Sequence, residues 1–297
     1  MKKEIAGNIV AIVTPFNRNG KSIDYESHAN HIDWLIKNGV DGIVTVGTTG
    51  ESATLSFKEH ENVMRFVYEF VNKRVPVIAG IGGNNTREAV HLTNIAKKIG
   101  VDAGLSVTPY YNKPPQEGLC RHFINVCEAA EDLPIILYNV PSRTGVDLKP
   151  ETVFKITDRV KNVIGIKEAS SNLKAVAEYV SHDVPLFCGE DAMNLPMLLY
   201  GAVGVISVVS NFDPRIVSKL IHAYRKTDIE VAKSVNYEMV RAAEKAFVQP
   251  NPIPAKYLCA RLGLIKHDAV RLPLVSHKEL DPEIDEKING YIYTLTH

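Results

Sequence analysis

The sequence predicts an α/β protein, a (β/α)8 TIM barrel carrying a C-terminal helical extension. Three observations predict it. Short apolar runs rich in β-branched residues alternate with amphipathic helical patterns eight times within about 225 residues. The runs are apolar throughout instead of alternating, as expected for parallel strands covered by helices on one face and packed on the other. No Gly/Ser linker or low-complexity tract breaks the series. An open doubly wound sheet would alternate in the same way, but eight consecutive units favour a closed barrel.

In chain order, Ile9-Val10-Ala11-Ile12-Val13 is the first run, closed by Thr14-Pro15, and Asp24 is placed to cap a helix carrying Ile32, Leu35 and Ile36. Ile43-Val44-Thr45-Val46 is the second, followed by Gly47-Thr48-Thr49-Gly50-Glu51. Ser56-Phe57-Lys58-Glu59 then has the spacing of a capping box, opening a helix with Val63, Phe66, Val67 and Phe70. Val75-Pro76-Val77-Ile78-Ala79-Gly80 starts the third unit, with Thr86 as the expected cap of its helix. Asp102-Ala103-Gly104-Leu105-Ser106-Val107-Thr108 starts the fourth, whose helix runs through Phe123 and Val126. Pro134-Ile135-Ile136-Leu137-Tyr138-Asn139-Val140 starts the fifth, with Pro150 suited to the first helical position. Val163-Ile164-Gly165-Ile166-Lys167-Glu168 is the sixth strand. Val184 to Gly189 and Gly204 to Val209 supply the seventh and eighth, and Asp213-Pro214 reads as a cap followed by a first-turn proline. These units make residues 1–227 the barrel and residues 228–297 a helical domain packed on it, which holds the rigid stretch Gln249-Pro250-Asn251-Pro252-Ile253-Pro254.

Composition narrows the partners. Lys and Arg number 34, Asp and Glu also 34, so no net field favours nucleic acid or an anionic membrane surface. No apolar run approaches the roughly 18 residues of a membrane span, and Met1-Lys2-Lys3-Glu4-Ile5 leads directly into the first strand, so a cytoplasmic protein acting on a small molecule is expected. Cys120, Cys127, Cys188 and Cys259 lack metal or disulfide spacing and are expected as buried free thiols. His28 and His31, the one close pair among ten histidines, are expected on the solvated surface. Gly80-Ile81-Gly82-Gly83 lacks the third glycine of a dinucleotide turn, and no phosphate-loop, zinc-protease or serine-hydrolase motif is present, so neither cofactor nor metal is expected.

The chemistry centres on Lys167. A strand buried on both faces should not end in lysine unless something uses it. A free amine, with pKa near ~10.4, is neutral in only a few of every ten thousand molecules at pH 7, and apolar burial would correct that. Lys167 is then an amine poised to form a Schiff base with a carbonyl substrate. The alternative is a wet strand end, with Lys167 paired to Glu168 or another carboxylate. At the same end of a barrel would lie Tyr138, a proton relay or a core tyrosine; Arg143, a bidentate carboxylate grip or a surface ion pair; and Gly47-Thr48-Thr49-Gly50-Glu51, an anion-holding turn or an ordinary glycine turn.

On Gly47-Thr48-Thr49-Gly50-Glu51-Ser52, Val107-Thr108-Pro109-Tyr110-Tyr111, Tyr138-Asn139-Val140-Pro141-Ser142-Arg143-Thr144-Gly145, Gly165-Ile166-Lys167-Glu168-Ala169 and Asn251-Pro252-Ile253-Pro254, the chain resembles the dihydrodipicolinate synthase family of the N-acetylneuraminate lyase superfamily over nearly its whole length. The resemblance implies a condensation of pyruvate with L-aspartate 4-semialdehyde in lysine and diaminopimelate synthesis. It implies Lys167 as the Schiff-base lysine, Thr48 and Thr49 on the pyruvate carboxylate, and Tyr138, Thr48 and Tyr111 as a proton relay. Tyr111 would reach in from a neighbouring subunit of a homotetramer, Gly189 and Ile206 would line the pocket with backbone, and Arg143 would hold the second substrate. It further implies an inhibitory L-lysine site at Ser52, Ala53, His60, Asn84, Glu88 and Tyr110. Phe57 departs from the histidine that lysine-sensitive bacterial members often carry there. Two competing readings remain: a superfamily lyase of 2-keto sugar acids, from which Arg143 is the discriminator, and a non-catalytic small-acid-binding barrel.

Overall fold

Eight parallel strands close on themselves in the order of the chain. In this computed structural model, which describes residues 4–277 together with Glu283 and Ile292, they are β1 Gly7–Ala11, β2 Gly42–Thr45, β3 Val77–Gly80, β4 Ala103–Val107, β5 Ile135–Asn139, β6 Val163–Glu168, β7 Leu186–Cys188 and β8 Gly204–Ser207. Gly7 pairs with Gly204, so β8 returns to β1 and no sheet edge is left open. Between and after the strands run α1 Tyr25–Lys37, α2 Phe57–Val71, α3 Thr86–Ile99, α4 Gln116–Glu128, α5 Pro141–Thr144, α6 Pro150–Arg159, α7 Leu173–Ser181, α8 Asn194–Leu199, α9 Pro214–Arg225, α10 Ile229–Ala246 and α11 Ile253–Arg261.

The side-chain period of two splits every strand between two cores. Ile9, Val44, Ile78, Leu105, Ile136, Tyr138, Phe187 and Ile206 fill the barrel interior. Val10, Ile43, Val77, Ile135, Leu137 and Ile166 face outward to the helices. Burial on both faces is why the strands read as unbroken apolar runs. On this alternation Lys167 falls inside the barrel and Glu168 outside.

The expected start signals hold at four helices. Asp24 accepts from the Ser27 amide at 3.0 Å, Ser56 and Glu59 form the reciprocal box, and Asp213 accepts from the Ile216 amide at 3.3 Å. Pro150 is the first residue of α6. At α3 the expectation is corrected: Asn85 is the cap, accepting from the Arg87 amide, while the Thr86 hydroxyl meets His122 Nδ1 at 2.9 Å. Both residue types cap well, and the chain turns one residue earlier than expected.

A second correction concerns His28 and His31, which are both fully buried. They fall on the stripe His28, His31, Ile32, Leu35, the i, i+3, i+4, i+7 face that α1 turns to the barrel. His31 Nε2 meets the Asn211 carbonyl at 2.8 Å, and His28 packs beside Phe66. Burial pushes the His28 imidazole down to about 3 and that of His31 down to about 4. All four cysteines are free thiols; Cys127, Cys188 and Cys259 are buried, whereas Cys120 is half-buried.

Beyond the eighth unit, α10 packs along α9, and α11 returns toward the loop that follows β8. The part of the expected extension after residue 277 lies outside the described residues, apart from Glu283 and Ile292. Among the described residues no helix is long and apolar enough to cross a membrane.

Candidate active site

Lys167 and Tyr138 are direct register partners on β6 and β5. Both point into the barrel, and the Lys167 ammonium lies 4.3 Å from the Tyr138 ring centroid. Lys167 is only 5 % exposed, and among the described residues it makes no ion pair. The alternative pairing with Glu168 does not occur. That carboxyl lies on the outer face, accepting from Asn139 Nδ2 at 3.0 Å, and burial raises it to about 6. Gly189, just past β7, lets the lysine through: a Cβ there would stand 2.7 Å from Lys167 Cε and 2.9 Å from Cγ. Ile206 on β8 completes the apolar wall.

Gly47 to Glu51 leave the C-terminal end of β2 as a tight turn. Val46, just before it, and Glu51, its last residue, both have left-handed backbone, with φ of 48° and 55°. For a β-branched valine this is strained, by about 1–3 kcal/mol, and persists only where packing dictates it. Gly80 and Gly50 show that packing: a Cβ on either would press on the Val46 backbone. The turn is held by Thr14 Oγ1, which donates to the Gly50 carbonyl at 2.8 Å, and by Asn251 Nδ2, which donates to Thr49 Oγ1 at 2.9 Å. Because Thr49 Oγ1 is the acceptor in that bond, its own proton is free for another partner. Thr48 is half-buried and lines a cavity of about 440 Å³.

Arg143 lies on α5, the short helix after β5, and lines the same cavity. Its Nη2 donates to the Asn251 carbonyl at 3.1 Å, so Asn251 touches both Thr49 and Arg143. Tyr111 is 88 % exposed, on left-handed backbone with φ 73°. Ser52, Ala53, Phe57, His60, Glu88 and Tyr110 line the cavity that Thr48 and Arg143 share. Asn84 is not on its wall; its carbonyl accepts from Asn112 Nδ2 at 2.9 Å. His60 Nε2 donates to the Gly80 carbonyl at 2.8 Å, and burial lowers the pKa of the ring. The larger cavity of about 650 Å³, between Ile5, Lys97, Pro134 and Pro185, lies at the opposite ends of the strands.

A buried strand-end lysine opposite a tyrosine, with threonine hydroxyls and an arginine on the same barrel face, has the chemistry of an amine catalyst for carbonyl substrates. A family model described as the dihydrodipicolinate synthetase family matches residues 4–289. The chain belongs to the dihydrodipicolinate synthetase family. A 4-hydroxy-tetrahydrodipicolinate synthase from Persephonella marina is 44% identical over 289 residues, 96% of this chain and 97% of the relative. Two solved members superpose with TM-scores of 0.93 over 99% of both chains. One is the chloride-inhibited dihydrodipicolinate synthase from Acinetobacter baumannii complexed with pyruvate, 39% identical. The other is the Cyanidioschyzon merolae enzyme with lysine bound, 37% identical. Membership makes this chain a lyase of that family and sets aside the sugar-acid lyase and the non-catalytic barrel.

Three residues near the site escaped the sequence reading. Asn251 lies within a motif of the family resemblance, but nothing local shows that it contacts Thr49 and Arg143. Lys256 is fully buried on α11 and pairs with Glu51, across 205 residues of chain. Glu190 follows Gly189; burial and the adjacent Asp191 raise its carboxyl, while Lys167 partly offsets them. The Gly189-Glu190-Asp191 run at a strand end was its one available signal.

Proposed function

We infer that the chain condenses pyruvate with L-aspartate 4-semialdehyde to 4-hydroxy-tetrahydrodipicolinate, in lysine and diaminopimelate synthesis. The observation that carries this reading is Lys167: a buried amine inside the barrel, beside Tyr138 and without a carboxylate partner among the described residues, in a chain of this family. The amine adds to the C2 carbonyl of pyruvate, and loss of water from the carbinolamine gives the Schiff base. Thr48 and Thr49 hold the pyruvate carboxylate with hydroxyl and amide donors. Tyr138, with Thr48 and with Tyr111 of a neighbouring subunit, carries the protons that the carbinolamine must gain and lose. Removal of a proton from C3 leaves an enamine, whose carbon attacks the aldehyde of the second substrate while Arg143 grips that substrate's carboxylate. The product is a nitrogen ring, so the amino group of the second substrate must finally attack C2 and release Lys167.

The exposed, left-handed Tyr111 supports an assembly in which that residue completes a partner's site, and we take the enzyme to be a cytoplasmic homotetramer. Free L-lysine is the proposed inhibitor, bound among Ser52, Ala53, His60, Glu88 and Tyr110, with Asn84 nearby. Glu88 would accept from its α-ammonium and Tyr110 donate to its carboxylate. The pyruvate and lysine complexes of the two solved relatives support these ligands. Parallel assays decide the reaction: condensation of pyruvate with the semialdehyde should proceed, and cleavage of N-acetylneuraminate should not. The reverse result would refute the assignment.

A further inference from the structure

Gly47 to Glu51 is held from a distant part of the chain. Glu51 is 3 % exposed and its carboxylate is divided between two partners. One oxygen meets the ammonium of Lys256, which is wholly buried on α11, and the other accepts from the Arg271 amide at 3.0 Å. Lys256 has two further neighbours. Its ammonium also donates to the Ala269 carbonyl at 2.7 Å and lies 3.9 Å from the Phe16 ring centroid. The Arg271 guanidinium grips Glu59 on α2 with both terminal nitrogens and holds that carboxyl down to about 2.

A buried ion pair is poor evidence of stabilisation, because apolar groups of equal volume often serve as well. What it does supply is a single geometry, since among the described residues each charge is the other's one ion-pair partner. Here that geometry is the left-handed backbone of Glu51, the last residue of the turn, two residues from Thr49. We propose that Lys256 is a positioning residue for keto-acid binding: through its buried pair with Glu51, α11 fixes the carboxylate-gripping conformation of Gly47 to Glu51. This rests on the reading of that turn as the grip on pyruvate.

Steady-state kinetics of the full chain test it, with Lys256→Met, Glu51→Gln, the double variant, and Thr49→Val as the control on the turn itself. Lys256→Met and Glu51→Gln should each raise the pyruvate KM about tenfold or more, while kcat and the semialdehyde KM stay within about threefold, because ground-state positioning of one substrate is what is lost. The double variant carries no unpaired buried charge. It should regain thermal stability relative to Lys256→Met yet keep the raised pyruvate KM. Single variants that lose thermal stability with an unchanged pyruvate KM would overturn the proposal and leave the pair a structural one. If Thr49→Val also leaves that KM unchanged, the reading of the turn fails as well; if Thr49→Val raises it and Lys256→Met does not, only the role of Lys256 fails. Should Lys256→Met be insoluble, Glu51→Gln, which preserves volume, decides in the same way.

Discussion

At the scale of single residues, the site depends on how little room Lys167 has. Gly189 has no Cβ where one would stand 2.7 Å from Lys167 Cε and 3.0 Å from Ala169 Cβ, so Gly189→Ala must displace the lysine or the strand end. A misplacement of about 1 Å costs on the order of a hundredfold in rate, and Gly189→Ala should slow adduct formation with pyruvate by about that factor. Stopped-flow trapping measures it, and a wild-type rate would mean that the lysine can rearrange freely. Arg143 should separate the two substrates. Arg143→Ala removes a charge-assisted contact of about 1.5–3 kcal/mol, so condensation should fall by about ten- to a hundredfold or somewhat more while pyruvate adduct formation is nearly unchanged. Equal losses in both assays would contradict the division of labour.

At the scale of elements, the proposed lysine cleft and the proposed substrate site share one cavity wall, made by the turn after β2, α2 and α5. Phe57 is half exposed there and packs edge-on against His91. If free L-lysine binds in this cleft, Glu88→Ala should weaken inhibition by about 1–3 kcal/mol, the cost of an unpaired ammonium, read by titrating lysine into a steady-state assay. Undiminished inhibition in the variant, or none in wild type at millimolar lysine, would show that the cleft does not regulate. Elements were the most legible level of this chain. Start signals such as Asp24, Ser56 to Glu59 and Asp213-Pro214 act within three residues, so local sequence contains their whole cause. His28 and His31 depart from the expectation for a related reason: their spacing from Ile32 and Leu35 marks the buried face, whereas histidine as a residue type points to the surface. Asn251 and Lys256 were illegible in a deeper sense. Their partners, Thr49, Arg143 and Glu51, are brought to them only by closure of the barrel and the return of α11 across its mouth.

At the scale of the whole molecule, the buried histidines couple the fold to pH. His28 and His31 stay neutral in the folded protein down to about 3 and about 4, whereas in the unfolded chain they bind protons below about 6.5. Between those values the unfolded state holds more protons, so stability falls as pH drops from 6.5, by up to about 1.4 kcal/mol per unit for each ring. Above that window the two rings add no pH dependence. His28→Leu, which removes two nitrogens that lack partners among the described residues, should flatten the fall of Tm between pH 7 and 5. An unchanged slope would contradict the burial argument. Schiff-base chemistry in this barrel rests on one amine. Borohydride reduction in the presence of pyruvate, followed by mass spectrometry, should place the adduct on Lys167 in wild type. Lys167→Ala should fold and show no adduct; an adduct on another lysine in that variant would contradict the assignment.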